Sequence, residues 1–166
     1  FDAIMAALRE EPLPGCGEEL VVNGDFESGI DDWYTWGNSI EVSSDAHSGS
    51  GAVLVTDRDE TWQGVVQDIT ELVAETIPYE ASAWVMLDGA SSDTVSLTLS
   101  VEDETETTWT HISDVTATSS GWTELSGTVT IDAGDSLDSV NLYIEGPAAG
   151  VNMVVDDVSF VPSCSL

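Results

Sequence analysis

An aromatic ring and a carboxylate stand two residues apart in the stretch LYIEGP, residues 142–147. In a β-strand successive side chains point to opposite faces, so Tyr143 and Glu145 are expected on the face opposite Leu142 and Ile144. A pyranose packs its apolar C–H face on an aromatic ring, and its hydroxyls donate hydrogen bonds to an ionised carboxylate. The spacing therefore predicts a sugar-binding surface on this strand.

Three tryptophans in polar, turn-rich surroundings support this interpretation. Trp62 follows an Asp/Arg/Asp/Glu run, and Trp36 lies in the segment DDWYTWGN. Trp109 shares its predicted strand face with His111 and not with Ile112, so its ring is expected at the surface. The remaining tryptophans fit ordinary packing roles: Trp33, Trp84 and Trp122.

The charge balance excludes one class of partner. The chain has Lys+Arg 2 against Asp+Glu 32, a formal net charge of -30 at pH 7. Because phosphate contacts need Lys and Arg, neither nucleic acid nor an anionic membrane is expected to bind. Hydrophobic content of 42% indicates a folded domain with its acid on the surface. Two interpretations remain: an extracellular protein from a saline habitat, where screening acts over about 3 Å at 1 M salt, and a surface stabilised by calcium.

No signal peptide is visible in the sequence. No apolar run approaches the ~20 residues of a membrane-spanning helix, so membrane insertion is not expected. The sequence begins at Phe1 instead of Met, which indicates a processed or excised piece without its export signal. We therefore predict a secreted or cell-surface protein.

The first segment differs in pattern from the rest. Its apolar residues recur at helical spacing: Phe1, Ile4, Met5 and Leu8. This predicts an amphipathic helical extension at residues 1–15 and one domain at residues 16–166. Because so short a helix is marginal alone in water, its apolar stripe must dock on its own domain or on a neighbouring subunit.

From Glu19 onward the pattern is that of β-strands. Apolar residues alternate with Thr and Ser at residues 94–101, which predicts a half-buried strand. Similar alternation covers residues 79–87, 127–131 and 151–160. Short strands separated by Gly, Asp, Ser and Asn turns predict an all-β fold, a two-sheet antiparallel sandwich or jelly roll.

The two cysteines, Cys16 and Cys164, bracket nearly the whole domain. If the termini of the sandwich lie together, a disulfide between them would close a long loop and stabilise the fold by about 4 to 5 kcal/mol in the chain-entropy model. The alternative is two unpaired thiols.

Six motifs in this order are specific for one family. They are LVVNGDFESG (20–29), DDWYTWGN (31–38), AHSGSGAVLVTDRDETWQG (46–64), YEASAWVML (79–87), LYIEGP (142–147) and VDDVSF (155–160). With them the chain resembles the family 22 carbohydrate-binding modules that accompany xylanases, a part of the larger group of jelly-roll sugar-binding modules.

The resemblance implies a jelly roll that binds β-1,4-xylan, and often mixed-linkage β-glucan, in a shallow cleft on one sheet. By position it makes Trp62 a stacking ring and places Trp109 where the family usually has a tyrosine. Tyr143 and Glu145 would complete the cleft.

The sequence departs from the family pattern at Trp36, where the family commonly carries an arginine that reaches ligand hydroxyls. Losing a multi-donor group and gaining a ring shifts recognition toward stacking, so Trp36 is counted among the binding residues. Arg58 would replace the lost donor or, in our preferred interpretation, form an ion pair with adjacent acidic residues.

The resemblance also implies a structural calcium ion. Asp25 and Glu27 follow a Gly turn near the start, and Asp157 lies on the predicted last strand, which would pair with the first. Calcium takes 6 to 8 oxygen ligands, backbone carbonyls included. The predicted ligands are Asp25, Glu27, Asp157 and the region of Ser50.

No pattern marks a catalytic site. A glycosidase needs two carboxylates at a set separation, and no pair stands out here; no nucleophile motif is present either. We predict a non-catalytic module that binds polysaccharide for a parent glycoside hydrolase or a cell. The alternative is a structural surface or filament subunit that forms homo-oligomers through its N-terminal segment.

Overall fold

The computed structural model describes residues 15–74, 77–131 and 137–163, which contain nine strands joined by loops and turns and one short 3₁₀ helix at Thr70–Leu72. The strands are β1 Ser39–Ser43, β2 Ala52–Thr56, β3 Gly64–Asp68, β4 Pro78–Asp88, β5 Ser92–Asp103, β6 Thr107–Thr118, β7 Thr123–Thr130, β8 Leu137–Glu145 and β9 Asn152–Pro162.

Two antiparallel sheets form the two layers. The five-stranded sheet has the order β1-β2-β9-β4-β7, and the four-stranded sheet has the order β3-β8-β5-β6. This confirms the predicted sandwich and the four predicted strand segments. The predicted helical extension at residues 1–15 lies, except for Gly15, outside the described residues. In the described ranges no helix is long and apolar enough to span a bilayer.

The core lies between the layers and is built by alternation. On β4, Ala83 and Val85 point inward and are fully buried, while Trp84 between them points outward. Leu142 and Ile144 of β8 pack from the other sheet. Each such Leu or Ile contributes about 1.5 to 3 kcal/mol when buried. Burial of these residues directs the alternate side chains of each strand to the outer face of its sheet.

The prediction of a half-buried strand at residues 94–101 is wrong in one respect, because both faces of β5 are covered. Ser96, Thr98 and Ser100 are buried although they point away from the core. β5 lies in the interior of its sheet, between β8 and β6, whose larger side chains stand on both sides of these small residues. The polar face of β5 is therefore the floor of a depression.

The first described segment, near Gly17 and Leu20, runs beside the end of β9. The backbone N–H of Gly17 donates to the carbonyl oxygen of Pro162 at 2.9 Å, and that of Leu20 donates to Phe160 at 3.0 Å. Cys164 lies outside the described residues, so its disulfide with Cys16 stays a prediction.

Candidate functional site

A cleft of about 790 Å³ lies on the outer face of the four-stranded sheet. Strand register gathers its residues: Tyr143 on β8 lies opposite Thr98 on β5. Asn141 lies opposite Ser100, which lies opposite Trp109 on β6. The cleft is lined by Trp36, Trp62, Ser100, Glu102, Thr107, Trp109, His111, Ser139, Asn141, Tyr143 and Glu145.

Trp62 and Trp109 are the exposed rings of this cleft. Trp62 lies in the turn before β3 with 47% of its surface exposed, and Trp109 lies on edge strand β6 with 62% exposed. Rings with this much free surface offer an apolar face to a pyranose without rearrangement. The structure thus brings both predicted residues to the cleft, while their part in binding stays a prediction.

Tyr143 forms the floor and not an exposed platform, since only 2% of its surface is accessible. Trp36 packs against it, with ring centroids 4.8 Å apart and an interplanar angle of 70°. Tyr34 extends the aromatic row, 6.2 Å from Trp36, and its hydroxyl donates to Asn141 Oδ1. Trp36 is therefore part of an aromatic wall.

Glu145 stands half-buried beside Tyr143. Burial raises the pKa of its carboxyl above the ordinary value, and the hydrogen bond with Tyr143 and the charge of His111 oppose this shift in part. His111 Nε2 lies 3.7 Å from Glu145 Oε1. Burial and the adjacent Glu145 raise the pKa of the Tyr143 hydroxyl as well. A carboxylate with so little solvation is suited to accept hydrogen bonds from ligand hydroxyls.

Sequence reasoning missed the polar end of the cleft. Ser139 and Asn141 precede Tyr143 on the same face of β8, so strand alternation continued backward from Tyr143 would have found them. The seven residues from Ser139 to Glu145 span six steps of ~3.3 Å, a length of about 20 Å. Three lining residues from the neighbouring strands were also missed: Ser100, Glu102 and Thr107.

Arg58 corrects another expectation. Its guanidinium is buried, with 2% exposed, and donates at 2.6 to 3.3 Å to six backbone carbonyls: those of Glu60, Thr61, Gln63, Pro147, Ala148 and Val151. No carboxylate of the described residues forms an ion pair with it. The expected ion pair is wrong because a buried guanidinium needs an acceptor for each of its five N–H groups, and two loops supply them.

The other tryptophans lie away from the cleft. Trp33 is buried against Phe26, with ring centroids 5.0 Å apart. On the five-stranded sheet Trp84 stacks on His47 at 3.9 Å, and Trp122 meets the same imidazole at 5.7 Å. These contacts agree with the predicted packing roles.

Of the four predicted calcium ligands, Ser50 belongs to the loop at residues 47–51, and Glu27 and Asp157 accept hydrogen bonds from that loop. The Glu27 carboxylate accepts hydrogen bonds from Ser50 N at 2.9 Å, Ser50 Oγ at 3.0 Å and Gly51 N at 2.7 Å, and the backbone bonds from Ser50 and Gly51 lower its pKa. Asp157 accepts from Ser48 Oγ at 2.7 Å. Asp25 and Asp157 line a neighbouring hollow.

These residues fit a calcium ion if backbone carbonyls supply several of its ligands, as calcium permits. In the described parts of the chain, no three Asp, Glu, His or Cys side chains form a metal-binding cluster. Phe26 and Asp157 have φ of 55° and 48°, a left-handed conformation uncommon outside glycine. The backbone next to Glu27 and at Asp157 is thus held in the left-handed conformation.

Known sequences are similar to this chain over most of its length. The sequence model of a family described as a carbohydrate binding domain matches residues 18–150. Endo-1,4-beta-xylanase A of Thermotoga maritima is 31% identical over 153 residues, 90% of this chain and 14% of that protein. Endo-1,4-beta-xylanase 2 of Arabidopsis thaliana is 36% identical over 159 residues, 88% of this chain and 15% of that protein. The chain thus spans about a seventh of the length of the curated relatives it matches.

Solved structures share the fold. The CBM22-1 xylan-binding domain from Paenibacillus barcinonensis Xyn10C has a TM-score of 0.80 at 22% identity, covering 91% of this chain and 98% of that one. The CBM22-1-GH10 modules of Clostridium thermocellum xylanase 10B, complexed with xylohexaose, have a TM-score of 0.77 at 21% identity, covering 88% of this chain and 29% of that one.

Proposed function

Because the chain belongs to the carbohydrate-binding domain family, we propose that its cleft binds a neutral β-linked polysaccharide, β-1,4-xylan or mixed-linkage β-glucan. The chain is a non-catalytic binding module, as the family match indicates. One observation carries the proposal: two exposed tryptophans and a half-buried carboxyl line the same cleft.

The chemistry of the cleft suits a chain of sugar rings. Trp62 and Trp109 stack on pyranose faces, and Glu145 accepts hydrogen bonds from equatorial hydroxyls. Asn141 and Ser139 extend the polar contacts along β8. A net charge of -30 repels anionic ligands but leaves a neutral glycan unaffected.

Xylan is the first candidate among neutral glycans. The relatives described above are named xylanases, and the similar CBM22-1 domain of Paenibacillus barcinonensis Xyn10C is named xylan-binding. We propose that this chain is one module of a longer glycoside hydrolase and holds that enzyme on its substrate. The structural-subunit alternative has no support from these comparisons, and the segment on which it depends lies outside the described residues.

Affinity electrophoresis tests the proposal. The chain should be retarded in gels that contain xylan or mixed-linkage β-glucan and should migrate freely in gels without polysaccharide. Trp62→Ala should abolish the retardation, whereas Trp122→Phe, on the opposite sheet, should leave it unchanged. A folded chain that no glycan retards would overturn the proposed function.

We also propose that a structural calcium ion binds between Glu27, Asp157 and the loop at 47–51, with Asp25 and Ser50 as further ligands. The contacts of both carboxylates with one short loop support this site. The ion would join the first turns of the chain to β9. Salt or calcium would also offset the surface repulsion, in keeping with an extracellular, saline setting.

A disulfide between Cys16 and Cys164 is part of the same proposal. Gly17, the neighbour of Cys16, donates a hydrogen bond to Pro162, which precedes Cys164 by two positions in the sequence. A closed loop of this length would stabilise the extracellular form mainly by restricting the unfolded chain. Reduction with dithiothreitol should therefore lower the unfolding temperature.

A further inference from the structure

We propose that Gln63 is the positioning residue of the cleft, because its side-chain amide joins the loop of Trp62 to the loop of Trp36. Its Nε2 donates to the carbonyl oxygen of Trp36 at 2.9 Å. Its Oε1 accepts from the backbone N–H of Asp59 at 2.6 Å and of Glu60 at 3.1 Å. The effect of this link on glycan binding rests on the proposed function; the link itself does not.

The amide has one orientation that satisfies these partners. Two backbone N–H groups face its oxygen and one carbonyl faces its nitrogen, so turning it over would oppose like groups at all three contacts. Gln63 is buried, with 6% exposed, and a buried polar group that loses a partner is costly. The amide is therefore a fixed connection between the two loops.

The backbone on each side is built to keep this connection. Gly37, next to Trp36, has φ of +96°, and a Cβ at this position would lie 3.1 Å from Gln63 Nε2. On the other side, Arg58 donates to the carbonyls of Thr61 at 3.1 Å and Gln63 at 2.8 Å, the two residues that flank Trp62. The loop of Trp62 is thus rigid, and Gln63 fixes its distance to the loop of Trp36.

The consequence reaches the ligand surface. Trp36 packs against Tyr143 on the cleft floor, so the Gln63 amide sets the spacing between that floor and the exposed Trp62 ring. A glycan that contacts both needs this spacing before it arrives, because preorganisation reduces the ordering cost of binding.

Gln63→Glu removes one element of the link. The carboxylate keeps two acceptors for the N–H groups of Asp59 and Glu60 but has no hydrogen to donate to Trp36. Gln67→Glu is the matched control: Gln67 is equally buried, with 4% exposed. Its amide donates to Val22 O and accepts from Val22 N, each at 2.9 Å, away from the cleft.

Two readouts separate positioning from general stability. Gln63→Glu should weaken xylan binding by about tenfold and shift the indole N–H signals of Trp36 and Trp62 in ¹H–¹⁵N spectra. The indole signals of Trp33 and Trp84 should stay in place. Gln67→Glu should change neither the affinity nor the two shifted signals.

Acidification supplies a rescue. Protonation of the new carboxyl restores a donor to the Trp36 carbonyl, so the affinity ratio between wild type and Gln63→Glu should approach one as the pH falls. If Gln63→Glu does not fold, Gly37→Ala is the second variant. It places a methyl group against the same amide and should shift the same two indole signals. Wild-type affinity with unmoved signals in Gln63→Glu would overturn the inference, as would an equal affinity loss in Gln67→Glu. A wild type that binds no glycan would contradict the proposed function alone, since the indole signals still report the link.

Discussion

Trp36 lies against Tyr143 with ring centroids 4.8 Å apart at 70°, although 107 positions separate the two residues in the chain. The contact covers Tyr143 and leaves Trp62 and Trp109 as the exposed rings among the residues that line the cleft. We therefore expect recognition in this cleft to depend on stacking at its two sides and on polar groups along its floor.

Trp109 is expected to act through its ring and not through its indole N–H. Trp109→Ala should weaken xylan binding by at least about tenfold, or ~1.4 kcal/mol, because an exposed apolar face is lost. Trp109→Tyr keeps a ring on the same strand face and should retain most of the affinity. Affinity electrophoresis of both variants checks this, and equal losses in the two would contradict the stacking role.

Glycan binding should weaken in acid. Glu145 accepts hydroxyl hydrogen bonds best when ionised, and its pKa is raised by burial. Affinity should therefore fall as the pH is lowered through that raised pKa, beginning above the ordinary pKa of glutamate. Titration calorimetry across the acid range measures the midpoint.

Tyr143→Phe should move this midpoint further up. The hydrogen bond from Tyr143 favours the ionised form of Glu145, so its removal raises the carboxyl pKa. Glu145→Gln, which has no proton to gain, should show no such step. A midpoint that stays in place or falls in Tyr143→Phe would contradict the assignment.

Arg58→Lys should destabilise the domain by about 3 kcal/mol, since an ammonium has three donors at one point while the carbonyls of two loops lose theirs. Urea unfolding of the variant measures the free energy. A loss below about 1 kcal/mol would show that the carbonyl contacts contribute little.

Calcium should raise the unfolding temperature of the wild type by mass action, and a chelator should reverse the gain. Glu27→Gln and Asp157→Asn should each remove most of this increment. Asp103→Asn is the control, because the Asp103 carboxylate also accepts backbone hydrogen bonds, from Thr105 at 2.8 Å and Glu106 at 2.9 Å, but lies at the end of β5. A full calcium increment in Glu27→Gln would exclude the proposed site.

Strand alternation was enough to predict the sandwich and to place Tyr143 beside Glu145, because side-chain direction in a strand is a local property. It failed for Ser96 and Thr98, whose burial depends on the strands that flank β5. Neighbour order in a sheet is not encoded in the period of any one strand.

The roles of Arg58 and Gln63 were beyond sequence reasoning for a related reason. Most of their partners are backbone carbonyls and N–H groups, which every residue carries, so no side-chain pattern marks them. The carbonyl of Ala148 that accepts from Arg58 is 90 residues away in the chain. Only the folded loops bring such groups together.

Titration of a soluble β-1,4-xylo-oligosaccharide into the chain, followed by calorimetry, tests the central claim most directly, with Trp62→Ala measured in parallel. The account predicts saturable heat for the wild type and at least about a tenfold weaker affinity for Trp62→Ala, with unchanged unfolding temperature. No saturable heat from a folded wild type, or equal affinity in the variant, would contradict it.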